Sequence, residues 1–208
     1  MRSQGGHRRA DYSRARRIHV LLGPLLALAL LASGLAPRSS AASAPAKVYF
    51  PVTGHHVSDQ VLTYWRAHGD LSIFGYPLTE PIQRDGLTVQ YFERARLELH
   101  PELAGTPYEV ELTLLGDQTA AGHQEASFQR MSAVGANDSK DRVYFSATGH
   151  YLAYGFKSFW DGNGGLAIFG YPISEEFSEK NADDGKTYTV QYFERARFEY
   201  HPEFKGTP

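Results

Sequence analysis

Two short rows of residues carry the side chains with the clearest chemical potential in this chain. The first row runs from Tyr91 to His100 and the second from Tyr192 to His201. In both, polar residues alternate with apolar ones, which indicates a strand with one buried and one solvated face and about 6.8 Å between same-side residues. The candidate ligand-binding residues are Tyr91, Arg94, Arg96, Glu98, His100, Tyr192, Arg195, Arg197, Glu199 and His201.

These side chains allow two interpretations. Guanidinium and carboxylate groups can hydrogen-bond the hydroxyls of a sugar or the charges of an acidic glycan while a tyrosine ring stacks beside them. Alternatively, the opposite charges pair with one another across neighbouring strands, as on any solvated sheet face. The sequence leaves both interpretations open.

Catalytic and metal-dependent functions find less support. The chain has no cysteine, no Gly-x-Ser-x-Gly elbow, no phosphate loop and no HExxH motif that would bring His55 or His150 into a metal site. Carboxylates for glycoside hydrolysis could come from Glu93, Glu98 and Glu102, but each has a counterpart in the second row. Duplicated sites suit multivalent binding, so we expect no enzyme activity. Because the motifs named above are missing, we also expect no metal and no cofactor.

Both rows belong to an internal duplication. The matching pairs of segments are Val48–His55 with Val143–His150, Ile73–Pro77 with Ile168–Pro172, and Thr88–Arg96 with the identical Thr189–Arg197. The second copy carries six extra residues around Asn181–Gly185, which we expect on a surface loop. The duplication predicts repeat unit 1 at residues 47–118, a linker at 119–141 and repeat unit 2 at 142–208.

Each unit is predicted to be one short helix packed on a small antiparallel β-sheet, which gives an α+β fold of tandem small units. The helix covers residues 58–68, with Ser58 as its cap and Val61 and Trp65 on its buried face. The Phe-Gly-Tyr-Pro segment that follows is a turn. Because residues 88–100 are long for one strand, we expect a hairpin turn at Glu93-Arg94.

The N-terminus has the pattern of a secretory signal peptide, predicted at residues 1–46. Six arginines precede the uncharged run Val20–Ala32, and a small-residue stretch follows it. The run is too short for a membrane span and contains Pro24, so we expect no transmembrane anchor in the mature chain. Ile18-His19 fits a twin-arginine signal poorly, which favours the Sec route. The predicted location is secreted or cell envelope.

Charge excludes a further class of function. The full chain of 208 residues has a net charge of -2, but residues 1–46 hold seven Arg and one Asp, so the remaining 162 residues carry -8. An acidic mature protein has no electrostatic basis for binding nucleic acid.

The order of motifs in each copy resembles the LGFP repeat of bacterial exported proteins. Thr-Gly-His, a tryptophan in a short helix, Phe-Gly-Tyr-Pro, Asp-Gly and an aromatic strand pair follow one another in about 55 residues. Phe74–Pro77 and Phe169–Pro172 stand where that family carries its Leu-Gly-Phe/Tyr-Pro signature, with Phe in place of the first Leu. The resemblance implies units that hold envelope enzymes, such as mycolyl transferases and peptidoglycan hydrolases, on cell-wall polysaccharide.

From these observations we expect an exported, non-catalytic module that binds cell-wall or other extracellular polysaccharide, as the targeting part of a larger envelope enzyme where one is attached. The alternative is a structural or protein-interaction surface module with envelope proteins as partners, and a glycan hydrolase is the weakest hypothesis. Copy two stops before the counterpart of the apolar segment 108–115, so we also expect a fragment of a longer protein.

Overall fold

The computed structural model describes residues 46–133 and 138–204. The predicted signal peptide lies outside the described residues, apart from Ala46. The predicted α+β class is confirmed, because short helices alternate with small antiparallel sheets in both copies.

Copy one begins with a hairpin of β1 (Lys47–Phe50) and β2 (His55–Ser58). Two helices follow, α1 (Asp59–Ala67) and α2 (Asp70–Ile73), where the sequence analysis expected one. Ser58 occupies the N-cap position of α1, but its side chain makes no capping hydrogen bond, so that part of the prediction was wrong.

A four-stranded antiparallel sheet completes copy one. Its strands, in spatial order, are β3 (Ile82–Arg84), β4 (Leu87–Tyr91), β5 (Arg96–Leu99) and β6 (Val110–Leu112). The N–H of Phe92 donates to the C=O of Ala95 at 2.8 Å and closes the hairpin between β4 and β5 at the predicted turn. A 3₁₀ turn, Pro101–Leu103, leads from β5 towards β6.

Copy two has the same order of elements up to its third sheet strand. They are β7 (Arg142–Phe145), β8 (His150–Ala153), α4 (Tyr154–Gly162), α5 (Gly165–Phe169), β9 (Phe177–Lys180), β10 (Thr187–Tyr192), β11 (Arg197–Tyr200) and a 3₁₀ turn, Pro202–Phe204. β10 lies between β9 and β11 in a three-stranded antiparallel sheet.

The two copies share one hydrophobic core. Buried side chains of copy one, among them Val57 and Leu97, belong to the same cluster as Leu152 and Phe193 of copy two. Trp65 is buried in this core, as expected for the inner face of its helix, and Trp160 packs against the core partly exposed. Both copies therefore fold within a single compact unit.

The contact between the copies has an approximate two-fold character. A cavity of about 260 Å³ is lined by Ala67, His68, Gly69 and Ile73 together with their counterparts Gly162, Asn163, Gly164 and Ile168. When each residue and its duplicate line the same cavity, the two copies are related by an axis that passes close to it, as in an isologous dimer interface.

The segment between the copies packs on copy two. It contains the helix α3 (Leu115–Ala120) and a 3₁₀ turn, Ala126–Phe128. The Phe128 ring contacts Tyr192 and Phe177, with centroids 5.3 and 5.5 Å away. The side chain of Met131 is exposed, but its N–H donates to the C=O of Gly149 at 2.8 Å.

Candidate functional site

The hairpin turn that carries the first predicted arginine is held by the Phe-Gly-Tyr-Pro turn. The N–H of Glu93 donates to the C=O of Tyr76 at 3.0 Å, and the N–H of Tyr76 donates to the Glu93 carboxylate at 3.1 Å. The guanidinium of Arg94 donates to the C=O of Leu71 at 2.9 Å. Arg94 therefore stabilises the end of α2 and does not join Arg96 and Glu98.

The same arrangement recurs in copy two. The N–H of Tyr171 donates to the Glu194 carboxylate at 2.9 Å, and the guanidinium of Arg195 donates to the C=O of Leu166 at 3.1 Å. Arg195 is therefore separated from the row in the same way as Arg94. In each copy, one structural contact thus joins the Phe-Gly-Tyr-Pro motif to the shared motif that begins at Thr88 or Thr189.

Glycine is required where these motifs meet. Gly75 and Gly170 both have φ of +76°, in the left-handed region that side chains with a Cβ avoid. A Cβ on Gly75 would lie 2.7 Å from the Cβ of Glu93, and one on Gly170 would lie 2.7 Å from the Cβ of Glu194. The close approach of the two turns therefore depends on both glycines.

In copy one, the structure brings Arg96, Glu98 and Tyr91 together with Thr113, which directly follows β6. The guanidinium of Arg96 donates to Glu98 at 2.7 Å, to the Thr113 hydroxyl at 2.6 Å and to the Tyr91 hydroxyl at 3.4 Å. The Thr113 hydroxyl donates in turn to the Glu98 carboxylate. Each polar group of the strand face is thereby bonded to its neighbours.

His100 extends this cluster at the end of β5. Its Nδ1 lies 2.9 Å from the Glu102 carboxylate, and its Nε2 lies 3.7 Å from Glu98. The bond to Glu102 raises the pKa of His100, which Glu111 and Glu98 raise further. Burial by itself would raise the pKa of Glu98, but hydrogen bonds from Thr113 and Arg96 hold it below its usual value.

Copy two forms a related row with different partners. The guanidinium of Arg197 lies 2.7 Å from both Glu179 and Glu199, so β9 supplies the group that Thr113 supplies in copy one. His201 lies 2.8 Å from Glu199 and 3.0 Å from Glu203. The bond to Glu203 raises the pKa of His201, and the charge of Glu199 raises it further.

The predicted surface insertion also contributes to this second row. The side-chain amide of Asn181 donates to the Glu199 carboxylate at 2.9 Å. Burial alone would raise the pKa of Glu199, but the bonds from Asn181 and Arg197 lower it. Sequence alignment of the copies could not find Asn181, because it stands in the six residues that copy one lacks.

The two tyrosines of the rows differ in accessibility. Tyr91 is partly exposed, with the Arg96 guanidinium 5.7 Å from its ring centroid. Tyr192 is only 5% exposed, because Phe128 and His123 of the linker cover its ring. A ligand can therefore reach a tyrosine face beside the row in copy one, but not in copy two.

Two buried glutamines were missed by sequence reasoning. The amide of Gln90 donates to the C=O of His56 and of Thr79 at 2.7 and 2.8 Å, and that of Gln191 makes the same pair of bonds to Tyr151 and Ser174. Both are almost completely buried. Each amide joins the first hairpin of its copy to the sheet. The presence of a glutamine at the equivalent position of both copies is the sequence feature that could have indicated this role.

No protein-family model matches the chain, and no relative is found among the curated proteins. Within residues 46–133 and 138–204, no group of three or more His, Asp or Glu side chains is arranged to hold a metal ion. None of the helices in this part of the chain has the length and apolar character needed to cross a membrane.

Proposed function

We propose that this chain is an exported, non-catalytic module that binds cell-wall or other extracellular polysaccharide. The observation that carries the proposal is the recurrence of one Arg–Glu–His row on two sheets of a single compact unit. Planar guanidinium and carboxylate groups held rigid by their neighbours are suited to hydrogen-bonding sugar hydroxyls. Two such rows in one molecule would add avidity on a repeating polymer.

Exposed aromatic rings support a saccharide ligand. Sugar rings present apolar faces that stack on aromatic side chains, whose hydroxyls remain free for hydrogen bonds. The more exposed aromatic residues among those described are Tyr49, Tyr108, Tyr154, Phe159, Tyr200 and Phe204. Isolated exposed apolar residues are ordinary, but this set consists mainly of tyrosines.

The three carboxylates that the sequence offers for glycoside hydrolysis favour binding instead. A glycosidase needs one carboxylic acid whose pKa is raised, so that it can protonate the leaving group. The pKa of Glu98 is lowered, and the hydrogen bond with His100 also lowers the pKa of Glu102. Glu93 is bonded to the N–H of Tyr76 in the turn contact. These three carboxylates therefore act as structural acceptors in our proposal.

Export is the second part of the proposal, and the N-terminal sequence pattern supports it. Cleavage of the predicted signal peptide between Ala41 and Ala46, or directly after Ala46, should leave a mature chain that begins between Ala42 and Lys47. N-terminal sequencing of the protein from the medium and envelope fractions checks this. A protein that retains residues 1–40 in the cytoplasmic fraction would contradict export.

The binding proposal is tested by depletion. The chain is mixed with insoluble cell wall of the producing organism, and the protein left in the supernatant is measured at low salt. We expect depletion by intact wall and its loss when the wall polysaccharide is digested first. Protein that stays in solution with intact wall would overturn the proposal.

The second candidate is a protein-interaction module. It is favoured by the extensive internal bonding of the two rows, which leaves fewer free donors for sugar hydroxyls than the sequence suggested. Depletion by envelope extract after polysaccharide digestion would support this candidate over the first.

A further inference from the structure

A groove on copy one lies between α1 and the turn that leads into β6. Its volume is about 770 Å³, which is within the range of sites that hold small molecules. Asp59 and Gln60 of α1 line it together with His68, which directly follows the helix. Thr106 and Glu109 line it from the turn. None of these five residues belongs to the Arg–Glu–His rows, so the groove is a separate site.

Several polar groups in the groove have no partner within the described part of the chain. No residue there bonds to the carboxylate of Asp59 or to the side-chain amide of Gln60. The carboxylate of Glu109 accepts one hydrogen bond, from the N–H of Gly105 at 3.0 Å, which leaves further lone pairs for a ligand. Because carboxylates only accept hydrogen bonds, the groove suits a ligand that carries several O–H donors.

The imidazole of His68 gives the groove a flat aromatic surface. Its ring stacks on that of Tyr64, with centroids 4.1 Å apart and an angle of 25° between the planes. Nδ1 lies 2.8 Å from the C=O of Tyr64, and a carbonyl only accepts, so Nδ1 carries the proton and Nε2 is left as an acceptor. Since Tyr64 covers one face of the exposed His68 ring, the other face is left for a ligand. A pyranose ring offers an apolar face for such a surface and hydroxyls at its edge for Nε2.

The end of the corresponding helix in copy two shows which part of His68 the fold requires. Asn163 holds the same position at the end of α4. Its side-chain amide donates to the C=O of Phe159 at 2.7 Å, which repeats the bond between His68 and Tyr64. The fold therefore uses the hydrogen bond at this position but does not need the imidazole ring.

The first residues of the two helices differ as well. Copy two has Tyr154 and Gly155 where copy one has Asp59 and Gln60. Asp59 and Tyr154 have similar backbone conformations, with φ of +55° and +45°. The start of the helix therefore requires neither the carboxylate nor the amide, and both groups are available to bind a ligand.

We propose, on the basis of the polysaccharide binding proposed above, that this groove binds one uncharged pyranose unit of the polymer. The sugar ring stacks on His68, and its hydroxyls donate to Asp59, Glu109 and Nε2 of His68. The two carboxylates repel an acidic sugar, and no Lys or Arg is among the described residues that line the groove. The groove thereby selects the class of sugar that the chain recognises.

The test uses oligosaccharides released by mild acid hydrolysis from the insoluble cell wall of the producing organism. Anion exchange separates them into a neutral pool and an acidic pool, and each pool is added to the full chain. The NMR signal of the His68 ring is identified by its absence in the His68→Asn variant. We expect the neutral pool to shift this signal until it saturates, and the acidic pool to leave it unchanged at the same concentration.

Binding of the neutral pool by the variants provides a second arm, measured by calorimetry. His68→Asn should weaken binding by about tenfold, because asparagine can keep the helix-end bond but removes the ring face and Nε2. Arg66→Gln is the matched control, because Arg66 is exposed on the same helix but does not line the groove, and it should bind like the unmodified chain. The unmodified chain with the two pools decides the question even if a variant misfolds.

Three results would each overturn this assignment of the groove: no shift with the neutral pool, equal binding of the acidic pool, or unchanged binding by a folded His68→Asn variant. Depletion by intact wall in the same preparation would then show that polysaccharide binds elsewhere on the chain. A chain that also stays in solution with intact wall would overturn the proposed function as well.

Discussion

The arginines of the two rows divide into two roles at the level of single residues. Arg94 and Arg195 bind main-chain carbonyls at the end of a short helix, whereas Arg96 and Arg197 pair with carboxylates on the sheet. All four arginines occupy polar positions of the same two-residue alternation in the sequence, because that alternation continues through the hairpin turn. Only the bend after Tyr91 and Tyr192 separates them.

The glycine of the Phe-Gly-Tyr-Pro turn gives a prediction at this scale. Gly75→Ala should lower the free energy of unfolding by about 1–3 kcal/mol for the strained φ, and by more for the approach of its Cβ to Glu93. Gly86→Ala is the matched control, because Gly86 also has a positive φ but has no atom within 4 Å of the added Cβ. Urea unfolding should show a larger loss of unfolding free energy for Gly75→Ala than for Gly86→Ala. Equal losses would contradict a close contact between Gly75 and Glu93.

The histidines predict how stability depends on pH. The pKa of His100 and of His201 is raised in the folded chain, so their contribution is complete below about pH 6.5 and is lost as the pH rises through the folded pKa. The groups that raise these two pKa values are Glu98, Glu102, Glu111, Glu199 and Glu203. At acidic pH, Glu98 and Glu199 have the opposite effect. Because their pKa values are lowered in the folded chain, the stability that they contribute is lost as the pH drops below about 4.5.

Chemical denaturation between pH 4 and 9 checks this, with NMR titration of both imidazoles. The variant with His100→Gln and His201→Gln should lose less stability between about pH 6.5 and 8 than the unmodified chain. If stability fell equally with pH in the variant and in the unmodified chain over this range, neither histidine would stabilise the fold through its carboxylate partners.

At the level of elements, much of one unit could be predicted from its sequence. The helix with Val61 and Trp65 inward and the Phe-Gly-Tyr-Pro turn follow from periodicity and turn chemistry. The hairpin turn at Glu93-Arg94 follows from the length of the segment 88–100. The second helix, α2, was missed because four residues are too few to show a helical period. The partners of the rows were missed because Thr113 and Glu179 are distant in sequence.

The linker gives a prediction for an element whose packing the sequence only suggested. Phe128→Ala should lower the free energy of unfolding by about 2 kcal/mol, since it removes a partly buried ring from Tyr192 and Phe177. Met131→Ala, at an exposed position three residues away, should change it by less than about 0.5 kcal/mol. Similar values for the two variants would show that the Phe128 ring contributes nothing.

At the level of the whole molecule, the duplicated units behave as two halves of one core. The sequence shows the duplication but not this packing, because residues that join two copies look the same as residues that fill one. The cavity lined by Gly69, Ile73 and their counterparts Gly164 and Ile168 marks where the halves meet.

The shared core predicts a single cooperative unfolding transition. Trp160→Phe leaves Trp65 as the only tryptophan, in copy one, and Trp65→Phe leaves Trp160, in copy two. In each variant the fluorescence transition should coincide with the loss of far-ultraviolet circular dichroism. Separate transitions for the two copies would show that each folds alone.

Polysaccharide binding through the two rows is the central claim, and a binding isotherm on purified insoluble cell wall tests it most directly. Arg96→Gln and Arg197→Gln should each weaken binding by about tenfold, and the double variant by about 100-fold or more, because avidity is lost. Arg66→Gln, which removes the same charge from the exposed side of α1, should bind like the unmodified chain once thermal unfolding shows that all variants are folded. Equal binding by the double variant and the Arg66→Gln control would contradict the account.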